Sequence, residues 1–450
     1  MNRKRFGALL IVPLLGVLVL TTGCPKRKAP RHNVVLITVD ALRADHLGAY
    51  GYPRHTSPQI DRLAAGSLVF TNAFCPIPKT SASIASLLTG LHPFLHKTAP
   101  VQDELHPGNP TLAEMLSRQG YDTAAVVENA NLSIENGFNR GFSRYTEIWK
   151  DGYEKQATAE PITRKAIEFL GEKHDKPFFL WLHYIDTHAP YLPPAEFVKA
   201  GPQDRGRLIQ QIDKKVIAGT RVELERIAAG DAREGDFVDL YDGAIRYVDE
   251  QIGRVLREVQ ARFGADTVVI VSSDHGEELG DHNLFFDHGP LTFQSSSRIP
   301  LIVHFPGKSP QRIDRVVSFM DILPTVARDI AGAKIEREIQ GVSLFDEHAE
   351  RKLFIYGLFS HTTIHRGKSY TSVNQSLQGL LGLSQGLYCY DMIADPLERK
   401  NLAAGEGKAF SQMDKLYYHF LNQNDYPPRG AGKKASGKNL DNLKTLGYVN

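Results

Sequence analysis

Three short apolar runs in the sequence end in an aspartate, and two of these aspartates have histidines beside them. The aspartates are Asp40, Asp186 and Asp274, and the histidines are His183, His188 and His275. Carboxylates with a neutral imidazole suit a divalent cation such as Mg²⁺, Ca²⁺, Mn²⁺ or Zn²⁺. Each aspartate taken alone is also compatible with a cap or turn at the end of a strand. Because ligands collect beyond the carboxyl ends of parallel strands, the whole set predicts a metal site at one edge of a sheet.

A hydroxyl-rich segment, FCPIPKTSASIASLLTG, could supply a nucleophile for such a cation to activate. Its helical pattern consists of Ile84, Leu87 and Leu88 and stops at Gly90. The pattern predicts a helix over residues 81–89, with Thr80 at the amino end, where unpaired backbone N–H groups attract anions. A hydroxyl bound to a cation there could ionise and attack phosphorus or sulfur. The alternative is that Thr80 or Ser81 only caps the helix.

The elements that would position these residues alternate between strands and helices. Apolar runs rich in β-branched and aromatic residues predict strands at 33–40, 122–129, 176–186, 266–276 and 299–307. Near-continuous apolar runs are typical of strands that are covered on both faces, as in a parallel sheet. Helical patterns lie between the runs, and one of them opens with a capping box formed by Thr111 and Glu114. The alternation predicts an α/β domain.

The later part of the chain changes character. Short runs within residues 346–400 predict a small antiparallel sheet packed on the main domain. Residues 200–235 are polar and charged and predict a surface insertion. We therefore divide the chain into a leader at 1–24, a basic tether at 25–32, a main domain at 33–345, and a small-sheet subdomain with a tail at 346–450.

The first residues predict export and lipid attachment. A basic stretch at residues 3–5 precedes an apolar run and then Gly23 and Cys24, which is the order of a signal peptide. A cysteine directly after a small residue resembles a bacterial lipobox and predicts lipidation of Cys24. The expected product is a membrane-anchored lipoprotein that faces the periplasm or the cell exterior. An ordinary cleaved signal and an uncleaved anchor are the alternatives.

Composition limits the class of partner and the use of cysteine. The chain has 450 residues, of which 42% are hydrophobic and 23% charged, as in ordinary globular proteins. Its formal net charge of +2 is small and its basic residues are scattered, so we expect no nucleic-acid partner. Cys75 and Cys389 could pair in an oxidising compartment, but we favour two buried free thiols.

Motifs spread over residues 33–402 resemble the sulfatase family of the alkaline phosphatase superfamily. They include NVVLITVDALRADHLGAYGY, SIASLLTGLHP, FFLWLHYIDTHAPYLPP, SSDHGEELGDHNLFFDHG and YDMIADPLERKNLA. Their order and spacing match the family. The resemblance implies an α/β/α sandwich around a large, mostly parallel sheet, with a small C-terminal antiparallel sheet.

Within this resemblance, Thr80 occupies the nucleophile position, ten residues before Gly90. Sulfatases carry there a Cys or Ser that is oxidised to formylglycine, whose hydrate ejects sulfate by collapsing to an aldehyde. A threonine ester has no such route and must be cleaved by water at its central atom. Ala82 and Ile84 replace the signature's proline and arginine, so the modifying machinery should not recognise this segment. Threonine is the nucleophile in relatives that act on phosphoesters.

The resemblance also implies roles for other residues. The principal metal site is matched by Asp40, Thr80, Asp274 and His275, while Ala41 replaces the usual second aspartate. His188 matches a histidine that contacts the transferred group or protonates the leaving oxygen. Further candidates for substrate or second-metal contacts are Asp186, His288, His183 and Arg43. We expect one divalent metal ion (Zn, Mn, Mg or Ca), with a second possible through Asp186 and His288. His288 lies where many sulfatases carry a substrate-binding lysine, and a structural role is the alternative for Arg43.

The expected function is that of an extracytoplasmic, metal-dependent hydrolase or transferase. It would cleave phosphate or sulfate esters of lipids, glycans or small molecules through a covalent intermediate on Thr80, with phosphoesters favoured. The alternative is a degenerate family member that binds anionic glycans or lipids without turnover. Ala41, Ala82 and Ile84 motivate this alternative.

Overall fold

The computed structural model describes residues 31–98, 104–151, 159–198, 234–347, 350–383 and 386–423. The predicted leader, Cys24 and most of the tether lie outside the described residues. The predicted insertion at 200–235 lies almost wholly outside them, as does the end of the tail. Lipidation and export therefore stay predictions. In the part of the chain that is described, no helix is both long enough and apolar enough to span a bilayer.

A large sheet forms the centre of the molecule. Its strands are β1 (Asn33–Val39), β2 (Leu68–Phe74), β3 (Asp122–Val127), β4 (Arg144–Glu147), β5 (Phe178–Tyr184), β6 (Thr267–Ser273), β9 (Arg298–His304) and β10 (Gln311–Ser318). A short hairpin between β6 and β9 contains β7 (Glu278–Leu279) and β8 (Phe285–Asp287). The order across the large sheet is β10-β2-β9-β6-β1-β5-β3-β4. Most neighbours run parallel, whereas β9 is antiparallel to both β2 and β6.

Helices cover both faces of the large sheet. The helices of the described residues are α1 (Pro58–Ala65), α2 (Thr80–Thr89), α3 (Pro93–His96), α4 (Leu112–Arg118), α5 (Ala159–Leu170), α6 (Glu234–Phe263), α7 (Gln294–Ser297), α8 (Ile322–Pro324), α9 (Gln375–Leu381) and α10 (Gly407–Gln423), of which α9 and α10 pack instead with the C-terminal part of the chain. Successive side chains of a strand point to opposite faces. Val35, Ile37 and Val39 accordingly pack with α1, α5 and α6, while Val34 and Leu36 pack with α2, α4 and α8. The α/β/α sandwich is confirmed.

Two local predictions from the sequence are also confirmed. Helix α4 opens with the capping box, in which the Thr111 hydroxyl accepts from the Glu114 N–H at 3.1 Å and Glu114 Oε2 accepts from the Thr111 N–H at 2.7 Å. Helix α2 ends at Gly90, whose φ of 68° is left-handed. Glycine adopts this conformation without the strain that a Cβ would bring.

A second, antiparallel sheet lies in the C-terminal part. It contains β11 (Leu353–Tyr356), β12 (Ser360–His365), β13 (Lys368–Val373) and β14 (Leu387–Asp391) in sequence order. Backbone hydrogen bonds join its first part to the main domain, from the Tyr356 N–H to the Pro76 carbonyl and from the Leu358 N–H to the Gly289 carbonyl, at 2.9 and 2.8 Å. Cys75 and Cys389 are free and buried, so the disulfide alternative is wrong.

Candidate functional site

The carboxyl ends of β1 and β6 bring two aspartates together. These strands pair in parallel, and the register of Val39 with Ser273 places Asp40 beside Asp274, one residue beyond each strand. Ala41 then takes a left-handed φ of 57°, and its N–H donates to Asp274 Oδ1 at 3.3 Å. A non-glycine residue in this region is strained, and such strain is concentrated at functional positions.

Helix α2 presents the Thr80 hydroxyl to this pair. Thr80 is the first residue of the helix, and the Ser83 hydroxyl fixes the helix to the end of β6 by donating to the Asp274 carbonyl at 2.6 Å. Lys79 occupies the N-cap position, and no side chain caps the helix. The interpretation of Thr80 or Ser81 as a simple helix cap is therefore wrong.

Four side chains that the sequence analysis assigned to one metal site converge. The Thr80 hydroxyl lies 3.5 Å from Asp40 Oδ2 and 3.2 Å from His275 Nε2. His275 Nε2 lies 3.5 Å from Asp40 Oδ1 and 3.4 Å from Asp274 Oδ2. All four side chains are at most 1% exposed. The arrangement places a hydroxyl, two carboxylates and an imidazole around one small volume.

The electrostatics of this cluster favour a cation. Burial and the charge of Asp40 raise the pKa of Asp274 well above its ordinary value. Burial would raise the pKa of Asp40 too, but its hydrogen bond with His183 and the neighbouring imidazoles bring it below its usual range. Among the described residues, Asp40 Oδ1 and Asp274 Oδ2 are buried and accept no hydrogen bond. Two such oxygens beside imidazole nitrogens fit a divalent cation.

The protonation of His275 suits a metal ligand. Its Nδ1 lies 2.8 Å from the Gly276 carbonyl, which can only accept, so Nδ1 carries the proton. The lone pair of Nε2 therefore faces Thr80, Asp40 and Asp274. A ligating histidine that donates its other N–H to a backbone carbonyl is held in the correct tautomer and orientation.

His183 joins this principal cluster. From the sequence, His183 is only a candidate for substrate or second-metal contacts. Its Nε2 lies 3.4 Å from Asp40 Oδ2, and Asp40, His183 and Asp274 can each offer a ligand atom within 4.8 Å of the others. Strands β1 and β5 pair Thr38 with His183, which explains the placement.

A hydrogen-bond chain behind His183 fixes its ring. The Trp181 indole N–H donates to the Thr38 hydroxyl at 2.9 Å, and this hydroxyl lies 2.8 Å from His183 Nδ1 and 3.3 Å from the Leu182 carbonyl. Because the Thr38 hydroxyl donates its single proton to the Leu182 carbonyl, it accepts from His183. The Nδ1 atom of His183 therefore carries the proton. The lone pair of His183 Nε2 is then directed toward Asp40.

Asn129 is a further partner of Asp40 that the sequence analysis did not assign to the site. Its side-chain amide donates to Asp40 Oδ2 at 2.8 Å, and the residue is fully buried. Asn129 follows the end of β3 much as Asp40 and Asp274 follow β1 and β6. Its position at the end of the strand predicted at 122–129 is a signal in the sequence that could identify it.

Two predicted histidines lie beside His275. The His288 ring stacks on His275 with centroids 4.0 Å apart, and the His188 ring meets His288 edge-on at 4.9 Å. Burial lowers the pKa of all three imidazoles, so their neutral forms are favoured. His188 Nδ1 lies 2.5 Å from the Ala189 carbonyl, so Nδ1 carries the proton and Nε2 is an acceptor.

Two further residues on this side had no sequence signal. His288 Nδ1 lies 3.1 Å from Glu277 Oε1, and Glu277 is fully buried, which raises its pKa well above the ordinary value. Lys79 Nζ lies 3.8 Å from Asp287 Oδ1. Lysine and glutamate are common surface residues, so only their burial marks them here.

Two predicted candidates are placed elsewhere. Asp186 Oδ1 accepts from the Ala159 N–H at 3.4 Å, at the first residue of α5, and the metal-type cluster of the described residues does not include it. Arg43 forms ion pairs with Asp45 at 2.8 Å and with Asp281. These contacts agree with the structural alternative for Arg43 and offer no support for a second metal at Asp186 and His288.

Comparison with known proteins gives the same picture. A sequence profile described as "Sulfatase" matches residues 32–332, and one described as "N-sulphoglucosamine sulphohydrolase, C-terminal" matches residues 280–417. An arylsulfatase of Clostridium perfringens is 27% identical, over 71% of this chain and 79% of that protein. An N-acetylglucosamine-6-O-sulfatase of Bacteroides thetaiotaomicron is 23% identical, over 94% of this chain and 92% of that protein.

Solved structures share the fold. A phosphonate monoester hydrolase of Agrobacterium radiobacter superposes with a TM-score of 0.67 at 20% identity, over 88% of this chain and 96% of that chain. A protein in complex with its substrate D-glucosamine-2-N,6-O-disulfate superposes with a TM-score of 0.66 at 19% identity, over 88% and 98%. Because the "Sulfatase" profile matches more than half of the residues of this chain, the chain belongs to the sulfatase family.

Proposed function

We propose that this sulfatase-family protein is a metal-dependent hydrolase or transferase that cleaves phosphate or sulfate esters through a covalent intermediate on Thr80. The observation that carries the proposal is the position of the Thr80 hydroxyl, at the amino end of α2 and 3.2 Å from His275 Nε2. Backbone N–H groups at a helix start favour the negative charge of an attacked ester.

The buried donors of the cluster would hold the cation. Asp40, His183, Asp274 and His275 supply two carboxylates and two imidazoles beside Thr80. A divalent cation bound there supplies positive charge that favours an ionised hydroxyl and a negatively charged transferred group. Asn129 and Thr38 would orient Asp40 and His183.

The proposed reaction has two displacement steps at the central atom. In the first, Thr80 Oγ1 bonds to phosphorus or sulfur as its proton is released to water, and the ester bond to the leaving oxygen breaks. His188, which takes up a proton from water at Nε2, donates that proton to the leaving oxygen. In the second, water or an acceptor alcohol attacks the same atom and releases a proton, the bond to Thr80 breaks, and Thr80 Oγ1 takes up a proton to restore its hydroxyl.

Threonine at this position supports phosphoesters as the preferred substrates. A threonine cannot become formylglycine, so release must occur by attack at phosphorus or sulfur. Sulfate esters are the second class to test, because the relatives reported above are named sulfatases. The phosphonate monoester hydrolase among the fold neighbours supports including phosphonates and phosphodiesters.

We also propose that the protein acts outside the cytoplasm, attached through lipidated Cys24. The support is the order of basic stretch, apolar run, Gly23 and Cys24 in the sequence. A lipid-anchored enzyme would meet anionic lipid or glycan esters at the membrane surface. Metabolic labelling with a fatty-acid analogue, with Cys24→Ala as the control, would test this location.

The second candidate function is binding of anionic glycans or lipids without turnover. Its support is the replacement of family residues by Ala41, Ala82 and Ile84. The convergence of Asp40, Thr80, Asp274 and His275 favours catalysis instead, because a binder has no need of a hydroxyl among buried metal-type ligands.

Turnover assays on metal-loaded protein separate the two candidates. Aryl phosphate, bis-aryl phosphate, aryl phosphonate and aryl sulfate would be compared in the wild type, Thr80→Ala and Ser81→Ala. Ser81 is the matched control, since its buried hydroxyl is the next along α2 and, among the described residues, has no hydrogen-bond partner. Turnover that depends on Thr80 supports the enzyme. Bound metal without turnover of any substrate supports the binder.

A further inference from the structure

A buried lysine lies next to the proposed nucleophile. Lys79 directly precedes Thr80 at the N-cap of α2 and is only 9% exposed. Its hydrocarbon chain passes over Gly289, where an added Cβ would lie 2.1 Å from Lys79 Cε. The φ of Gly289 is 101°, which also favours glycine. The backbone at Gly289 therefore leaves room for this lysine to extend along the site.

The ammonium of Lys79 is incompletely paired. Among the described residues, it has an ion pair with Asp287 at 3.8 Å and no hydrogen bond. A desolvated ammonium has three N–H donors, and leaving them unused costs free energy. An anion that entered the site would satisfy these donors.

The charge of Lys79 acts on the groups around the cluster. Burial lowers the pKa of His188, His275 and His288, and the Lys79 charge lowers each of them further. The same charge opposes the burial that raises the pKa of Glu277 and Asp287. The ammonium thus lies within electrostatic reach of the three histidines and of both carboxyl groups.

Among the described residues, Arg43 is another basic group near the site, and it is already paired. Arg43 is held by Asp45 and Asp281 and donates to the Glu277 carbonyl at 3.1 Å. The family arginine is replaced by Ile84, and a histidine, His288, stands where many sulfatases carry a lysine. The non-bridging oxygens of a phosphate or sulfate ester still need a positively charged side chain as a hydrogen-bond donor.

We propose that Lys79 is the residue that binds the non-bridging oxygens of the transferred phosphate or sulfate group. This inference rests on the proposed function and names the positively charged side chain that binds its substrate. In the free protein, the Asp287 carboxylate holds the ammonium. In the complex, the ammonium donates to the anion.

Binding of inorganic phosphate tests this role independently of turnover. The metal-loaded full chain would be titrated by calorimetry as the wild type, Lys79→Met, Lys79→Arg and Lys308→Met. Met keeps the length that packs over Gly289, and Lys308, which lies over the ring of Phe345, is the matched control for loss of one lysine. We expect Lys79→Met to weaken phosphate binding about 10- to 100-fold. Lys79→Arg should recover part of this loss, and Lys308→Met should bind like the wild type.

Two results would overturn the inference: wild-type protein that binds no phosphate, or Lys79→Met that binds it as tightly as the wild type. If Lys79→Met fails to fold, Asp287→Asn replaces it, because removal of the competing carboxylate should tighten phosphate binding severalfold. Unchanged or weaker binding by a folded Asp287→Asn protein would contradict the proposal. Failure of the covalent mechanism would instead appear as absent turnover alongside intact, Lys79-dependent phosphate binding.

Discussion

The Thr80 hydroxyl lies 3.2 Å from His275 Nε2, although the two residues are 195 positions apart in the sequence. Because His275 Nδ1–H is held by the Gly276 carbonyl, the nitrogen that faces Thr80 carries a lone pair. A hydroxyl that faces an imidazole lone pair and two carboxylates can lose its proton only when positive charge compensates. This relationship makes Thr80 the first residue to test.

Substitutions of Thr80 should show whether its hydroxyl is the nucleophile or only supports the structure of the site. Thr80→Ala is expected to lower turnover about 10³-fold or more, while Thr80→Ser, which keeps the oxygen, should retain much of the activity. Incubation with a radiolabelled phosphoester, followed by peptide mapping, would locate the adduct on the peptide that contains Thr80. Label on another peptide, or full activity in Thr80→Ala, would refute the covalent role.

Loss of one carboxylate should weaken metal binding strongly. We expect Asp274→Asn to reduce metal affinity by more than about 100-fold, beyond the range typical of residues behind the ligands. Chelation should lower the unfolding temperature of the wild type, because a cation that binds only the folded protein stabilises it, but should change that of Asp274→Asn little, because this variant binds the cation weakly. Metal analysis and thermal unfolding provide the measurements. Asp122→Asn, which removes a partly exposed carboxylate, is the control.

The hydroxyl behind His183 should influence the metal without touching it. Thr38→Val keeps the shape of the side chain but removes the hydroxyl between Trp181 and His183. We expect a metal affinity about 10- to 100-fold lower, measured by competition with a chelating dye. Thr38→Ser should restore most of it. Equal affinity in Thr38→Val and wild type would show that the chain does not orient His183.

The pH dependence of stability should reveal a carboxylate far from the site. Asp249 accepts from the Gln59 and Ile60 N–H groups at the start of α1, and burial raises its pKa to about 7. A raised pKa means that the folded protein holds a proton that the unfolded chain has released. Stability from this group is therefore greatest at low pH and declines as pH rises from about 4 to about 7, by on the order of 2–4 kcal/mol.

Urea unfolding of the wild type and Asp249→Asn at several pH values tests the predicted decline in stability with rising pH. Asparagine can still accept a hydrogen bond at the start of α1 but cannot titrate. The stability difference between the two proteins should therefore shift in favour of Asp249→Asn as pH rises. A difference that is constant over this range, or that shifts toward the wild type, would contradict the raised pKa.

Much of the fold was predictable because its central strands are buried on both faces. The runs that became β1, β3, β5, β6 and β9 are almost wholly apolar, and this pattern distinguishes them from their surroundings. Strand β10 was missed because its first residues are polar and partly exposed. Strand β12 was missed because threonine, serine and histidine fill it, and the Ser360 and Thr362 hydroxyls find a partner in Thr292, which is distant in sequence.

The candidate site was predictable to the extent that its residues end strands. Asp40 and Asp274 follow apolar runs, and Thr80 precedes a helical pattern. The placement of His183 depends on its pairing with Thr38, and strand register is a property of the assembled sheet. Lys79 and Glu277 were missed for a related reason, since a charged residue becomes informative only when its burial is known.

The parallel pairing of β1 with both β5 and β6 has a consequence for how the chain acquires its active geometry. The contact between Ala41 and Asp274 closes a loop of 233 residues, and no local segment can form it alone. Such long-range closure is intrinsically slow. A nascent chain that has not yet delivered β6 would possess Asp40, Thr80 and His183 without their remaining partners, so metal capture and activity should emerge together, late in folding.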